Sequence, residues 1–384
     1  MKKKRIHQIF TIAASMLVGG VIGGIAVLLV FSTPLFSPFI GSLRESSRPL
    51  DLLFIIPILL LVIFVHELGH LAGGMVRGMR FLLLIVGPFQ WAKSATGISF
   101  TWNLNPSLMG GLAAAVPNRQ RSLLPQLLGM VLGGPLASLL LGGSAIITVS
   151  LLNGHLPDRP LNLILLTGLF SLLIFLATAI PSRVGGMQSD GWQLIELLRG
   201  GAAVLERQLI IEIMAASLAG ERPRDWNKET IAQLEQLESR DPLRRIAASL
   251  QVLYHYWDRG EYERVEPLMD WIDKHLEHYP DGFRQAVHLE LALLSLDSNV
   301  GSTGHSCVAA ERHMTAAAGG IVDPARRQLL AAAFALREGR FDGAQLAIIE
   351  ARRVLPRGMD PGINLFTADQ LDRLEGDIER SVKR

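Results

Sequence analysis

The sequence predicts a mainly α-helical fold: a polytopic membrane domain with a short β-hairpin, followed by a soluble helical-repeat domain. Three observations lead there. Of the 384 residues 49% are hydrophobic, too many for an ordinary soluble chain of this length. The excess lies in the first half, in four apolar runs, each as long as the roughly 20 helical residues that cross a bilayer. The second half instead shows amphipathic helical spacing interrupted by breakers.

Ile9 to Phe31, the first run, has no charged residue and follows Met1-Lys2-Lys3-Lys4-Arg5. The run is long, and Ser32-Thr33-Pro34-Leu35 is not a small-residue cleavage site, so it reads as a retained anchor rather than a signal peptide. Gly19, Gly20, Gly23 and Gly24 give it a small-residue face, either for packing onto the core or for a dimer. Thr33 to Pro49, with three prolines and several serines, reads as an external loop. The other runs are Leu52 to about Val76, Leu123 to Leu152, and Leu161 to Ile180.

Between the second and third runs, Phe81–Val86 and the alternating Ile98–Asn103 read as two strands linked through Gly87-Pro88 and Gly97. Such a hairpin either dips towards the membrane core, where protein or water must satisfy its backbone, or lies on the cytoplasmic surface. In the third run Pro135 removes a helical hydrogen bond, which predicts a kink or opening at Val131, and Gly133-Gly134 permits close helix contact.

An inside amino terminus places Lys2, Lys3, Lys4, Arg5, Arg77, Arg80, Lys93, Arg119, Arg121 and Arg183 in the cytoplasm, against Arg44, Arg48 and Arg159 outside. The positive-inside rule therefore predicts a multi-pass cell-membrane protein with both termini cytoplasmic. Cys307, the only cysteine, can form no internal disulfide, which suits a cytoplasmic second half. The net charge of +2 and the lack of a basic stripe give no sign of nucleic-acid binding.

His66-Glu67-Leu68-Gly69-His70 ends the uncharged run that begins at Leu52. On a helix, residues i and i+4 share a face, so His66 and His70 can point both imidazoles at one metal with Glu67 beside the open position. That is the pattern of a zinc hydrolase, in which the carboxylate takes a proton as water attacks a carbonyl. Burying two imidazoles and a carboxylate beside an apolar span is costly unless they bind something. A catalytic zinc wants a third protein ligand, and Asp190, after the fourth run, is the candidate. The alternative is that Asp190 caps the helix starting near Gly191, and spacing leaves both open.

His66-Glu67-Leu68-Gly69-His70, Gly133-Gly134-Pro135 and Asp190-Gly191, in that order, resemble the site-2 protease family of intramembrane zinc metalloproteases. The resemblance covers roughly Leu52 to Trp192. It implies that His66, His70 and Asp190 bind Zn2+, that Glu67 is the general base, and that the hairpin offers an edge strand to an unwound segment of a membrane-protein substrate. The chain departs from the family's pattern at Ser138 and Thr178, where asparagine is common, and in a longer Pro181–Asp190 stretch with Ser189 in place of leucine.

From Trp192 onward, apolar spacing suggests paired helices: Leu243–Asp258 with Tyr262–His278, Phe283–Leu296 with Cys307–Ala318, and Arg326–Glu338 with Phe341–Leu355. Their starts are about forty residues apart, in the range of helical-hairpin repeats, and the array resembles tetratricopeptide stacks, which present a surface to a partner. His275 and His278, at i and i+3, have no third ligand in view and read as a solvated face. Tyr254, Tyr256, Trp257 and Trp271 read as core, and Asp369 to Arg384 as a solvated terminal helix.

The expected organisation is an anchor and loop at 1–51, a metalloprotease core at 52–192, and a cytoplasmic helical-repeat domain at 193–384 open to a protein partner. The expected function is cleavage of a transmembrane or membrane-proximal segment of a membrane protein. The alternative is a membrane scaffold that keeps the metal fold and acts through its repeats.

Overall fold

The structure is a computed structural model that describes residues 52–94, 97–103, 108–184, 187–237, 239, 241–279, 281–297, 307–317 and 322–382. The Ile9–Phe31 run, the Thr33–Pro49 loop and the Gly185-Gly186 pair lie outside the described residues.

Three described helices are long and apolar enough to cross a membrane: α1 (Leu52–Val76), α2 (Leu123–Leu152) and α3 (Asp158–Ala179). Their outward faces carry Leu53, Ile56, Leu61, Leu140, Ile147 and Leu151, all exposed, the reverse of a water-soluble helix. With no hydrophobic drive between helices in lipid, small residues must let the backbones approach. A Cβ at Gly133 of α2 would lie 2.1 Å from the Gly69 carbonyl oxygen of α1, and one at Gly168 of α3 would lie 2.8 Å from the Ala145 Cβ of α2. Helix α2 continues on both sides of Pro135. Helix α3 begins three residues earlier than the hydropathy run, because Asp158 and Arg159 of its first turn tolerate the helix end.

The hairpin expected after α1 is a larger element. Strands β1 (Arg80–Val86), β2 (Phe89–Ser94), β3 (Gly97–Trp102) and β4 (Leu112–Val116) form an antiparallel sheet in the order β3-β2-β1-β4. The expected strands Phe81–Val86 and Ile98–Asn103 are β1 and β3, and they are not neighbours, because β2 runs between them. Gly87, at φ +55°, and Pro88 close the two-residue turn from β1 to β2, a backbone region that favours glycine. Leu83, Ile85, Ala92 and Leu108 form the sheet's core. On the opposite face the register pairs Phe89 with Trp102 and Trp91 with Phe100, and ring centroids 5.6 Å apart link Phe89 to Trp102 and Trp91 to Phe100.

A two-residue ribbon, β5 (Arg183–Val184) with β6 (Met187–Gln188), precedes α4 (Asp190–Arg199). Helices α5 (Ala202–Leu218), α6 (Lys228–Glu235), α7 (Pro242–Arg259), α8 (Tyr262–His275), α9 (Asp281–Leu296), α10 (Cys307–Ala316), α11 (Pro324–Arg337), α12 (Phe341–Val354) and α13 (Pro361–Val382) complete the described chain. The expected partners α7 and α8, α9 and α10, and α11 and α12 pack against each other. Their limits follow local chemistry. Asp241 and Asp323 accept backbone N–H groups at the starts of α7 and α11, each with proline at the first helical position, and Gly260 ends α7 in the left-handed region at φ +74°. Trp257 and Tyr256 are buried in the common core, with Tyr254 and Trp271 packed against it. The terminal helix differs from its expected solvated character: Phe366, Leu371 and Ile378 of α13 enter that core. Their spacing gives α13 an apolar stripe beneath its charges.

The chain divides into two compact units. One holds the described part of Met1–Gly73 with Met130–Ile195, and the other Gly74–Gly129 with Glu196–Arg384, so the sheet belongs with the helical half. Each boundary falls inside or at the edge of a helix: α1, α2 and α4 are each continuous through one.

Candidate metal centre

His66, His70 and Asp190 come together. His66 Nε2 and His70 Nε2 are 3.2 Å apart, and Asp190 Oδ2 is 3.4 Å from each. These three are a group of donors able to hold a metal ion among the described residues. Four donors at about 2.0 Å in tetrahedral array lie about 3.3 Å from one another, so the observed spacing suits zinc. Asp190 Oδ2 is buried without a well-formed hydrogen bond, which is the state of an oxygen kept for a ligand. Burial alone would raise the pKa of the Asp190 carboxyl, but the two imidazoles beside it reverse the sign and hold it at about 2. The donor set therefore stays ionised on its acidic member at any physiological pH.

Each histidine is oriented through its other nitrogen. His70 Nδ1 donates to the Met130 carbonyl at 2.7 Å, so Nε2 is the ring nitrogen that faces Asp190. His66 Nδ1 lies 2.9 Å from Ser138 Oγ, a hydroxyl able to accept its proton. Ser138 is fully buried, and its own carbonyl accepts a hydrogen bond from Ser171 Oγ on α3 at 2.8 Å. Such outer partners fix tautomer and ring orientation at metal sites. Glu67 is buried beside His66 and is adjacent to both histidines on the face of α1.

The glycines of α2 make room for this arrangement. A Cβ at Gly134 would stand 2.3 Å from His70 Nε2, and one at Gly69 would stand 2.5 Å from the Gly133 carbonyl oxygen. After α3, Ser189 rather than Asp190 has the capping position of α4: its Oγ accepts from Trp192 N at 3.3 Å and from Ser182 N at 2.9 Å, and donates to the Ile180 carbonyl. Asp190 is thereby left to face the histidines. Gly191 is required by close approach, since a Cβ there would lie 1.9 Å from the Ala179 carbonyl oxygen.

Sequence reasoning missed three contributors. Ser138 read as a departure from a family pattern and is the partner of His66, a role signalled only by its place one turn beyond Gly134. The Met130 carbonyl has no sequence signal at all. Ser189, another departure, is the cap that frees Asp190. Thr178 donates weakly to the Phe175 carbonyl of its own helix at 3.4 Å. His275, weighed together with His278 as a ligand pair, donates to the Trp271 carbonyl of its own helix at 2.7 Å.

Apolar helices that bring two histidines of one helix and an aspartate of another chain segment to a common point are the arrangement expected of a membrane metallohydrolase. Residues 54–337 match peptidase family M50, and since that stretch is more than half of the chain, the protein belongs to this family of membrane metalloproteases. No curated protein and no solved structure matches the chain.

Proposed function

We propose that the protein is a zinc-dependent intramembrane endopeptidase that cleaves a transmembrane or membrane-proximal segment of a membrane protein. The observation that carries this is the convergence of His66 Nε2, His70 Nε2 and Asp190 Oδ2 to within 3.4 Å of one another, with Glu67 beside them. A zinc ion held there supplies Lewis acidity towards the scissile carbonyl and makes water a nucleophile near neutral pH. His66, His70 and Asp190 would hold it, with Met130 O and Ser138 Oγ as the partners of the two imidazoles. Glu67 accepts the proton as water attacks and returns it to the leaving amine.

A helical carbonyl is hydrogen-bonded and shielded, so the scissile segment has to leave its helix before attack. Strand β3 is an edge of its sheet and can pair an extended segment through main-chain hydrogen bonds. The placement of lysine and arginine favours cytoplasmic termini for this enzyme, with the helical half in the cytoplasm presenting its surface to a protein partner.

Glu67→Gln preserves shape and removes the base. In cells carrying this variant, the membrane-protein fragments produced by the wild type should disappear, and cleavage by the purified protein should fall by about two to four orders of magnitude. Undiminished cleavage by Glu67→Gln refutes the mechanism.

A further inference from the structure

Helix α4 starts at Asp190 and ends at Arg199, so Glu196 stands about 9 Å along the same rigid rod from the metal-facing carboxylate, at 1.5 Å per residue. Glu196 is the only acidic residue of α4 besides Asp190, and it faces two arginines, one on α7 and one on α5. Arg244, in the first turn of α7, donates from Nη2 to Glu196 Oε1 at 2.5 Å, and Arg207 of α5 places Nη2 3.8 Å from Oε2. Arg244 is itself fixed from other sides: Nη1 donates to the Ala203 carbonyl at 3.2 Å and lies 3.4 Å from Glu206 Oε2, and Nη2 lies 3.6 Å from Asp241 Oδ2. Ser239 Oγ donates to Glu206 Oε2 at 2.8 Å.

The side chains of Glu196, Arg244 and Glu206 are all 13% exposed or less. A pair this buried is poor at adding net stability, because desolvation offsets attraction, and its best-attested use is to fix one geometry among alternatives. Here the geometry fixed is that of the far end of α4. An apolar contact would let that end slide or turn; a charge-assisted hydrogen bond to a guanidinium that is itself held resists both.

We propose that Glu196 and Arg244 are positioning residues for the zinc ligand Asp190: Arg244 holds the far end of α4, the helix whose first residue is Asp190. This rests on the zinc reading of the site. Metal affinity responds to sub-ångström placement of its donors, and loss of an orienting partner typically lowers it about 10- to 100-fold.

The test uses the full-length purified protein and the metal alone. Zinc affinity is measured by chelator competition for wild type, Glu196→Gln, Glu196→Ala and Arg244→Met, with amide hydrogen exchange over Asp190–Arg199 and with thermal unfolding as a check on fold. Glu196→Ala and Arg244→Met should weaken zinc about tenfold or more and speed exchange in α4, while Glu196→Gln, which keeps an oxygen acceptor for Arg244, should recover most of both. A double variant Glu196→Gln with Arg244→Met keeps the test open should a single variant unfold, since it removes both charges of the Glu196–Arg244 pair, and it should bind zinc as weakly as Arg244→Met. Wild-type affinity and wild-type exchange in folded clamp variants overturn the inference and leave the enzyme reading standing. A wild-type protein without stoichiometric zinc overturns the enzyme reading itself.

Discussion

Gly134→Ala adds one methyl group against the His70 imidazole. The new Cβ would stand 2.3 Å from His70 Nε2, 2.5 Å from Cε1 and 2.6 Å from Cδ2, well inside the 3.4 Å at which ordinary contacts begin. Three ring atoms are struck at once, so no small rotation of the ring clears them. Either the imidazole turns away from Asp190, which displaces the donor atom, or α2 moves back by about 1 Å, which draws the Met130 carbonyl away from His70 Nδ1. Overpacking of this kind costs about 1–3 kcal/mol, which at 1.4 kcal/mol per decade is a loss of about 5- to 150-fold in affinity if it falls on the metal. Gly143→Ala is the control, because a Cβ there, on the same helix, meets nothing within 4 Å. Chelator competition on both purified variants, with circular dichroism to confirm helix content, decides the matter. Zinc affinity in Gly134→Ala equal to that of the wild type and of Gly143→Ala would refute the claim that this glycine exists to admit the imidazole.

Ser138→Ala should leave His66 without the oxygen 2.9 Å from its Nδ1 and lower zinc affinity about 10- to 100-fold in the same competition assay. Arg326 of α11 is buried against Glu290 and also donates to Thr367 and Gln370, so Arg326→Leu should destabilise the helical half by about 3–5 kcal/mol in urea unfolding, and adding Glu290→Met should restore most of the loss. On topology, in a Cys307→Ser background a cysteine at His155 should react with an impermeant label on intact cells and one at Arg384 should not; labelling at Arg384 would reverse the orientation.

Much of the chain could be read before its fold. The limits of α1 and α2 coincide with apolar runs because a span has only length and hydrophobicity to satisfy, and sequence shows both. The helix pairs of the second half announced themselves through breakers such as Gly260-Glu261 and Gly339-Arg340. The sheet was half legible. β2 was lost because Phe-Gln-Trp-Ala-Lys-Ser follows the Gly-Pro turn so closely that the segment reads as loop, and β4 because Leu-Ala-Ala-Ala-Val has weak strand propensity and is held by pairing with β1. That pairing is a non-local decision.

The same division between local and non-local information governs the centre. The i, i+4 spacing of His66 and His70 is a local fact, so their common face follows from helix geometry alone. Asp190 is 120 residues beyond His70, and spacing gave its carboxylate two equal uses. What separates them is its neighbour. Ser189 Oγ accepts the Trp192 N–H of the α4 start, a task that an Asp190 side chain would otherwise have performed, and the Asp190 carboxylate faces the imidazoles instead. Ser138 shows the converse error. Judged against a pattern with asparagine, a serine there looks like lost function and feeds the scaffold alternative. In the fold it is buried against His66 and fastened from behind by Ser171. A shorter side chain serves because α2 is brought close to α1 by Gly69 and Gly133, whose backbones almost touch. The serine and the glycines work together: close helices need a short hydrogen-bonding partner, and a single position read by itself does not show how near the facing helix stands.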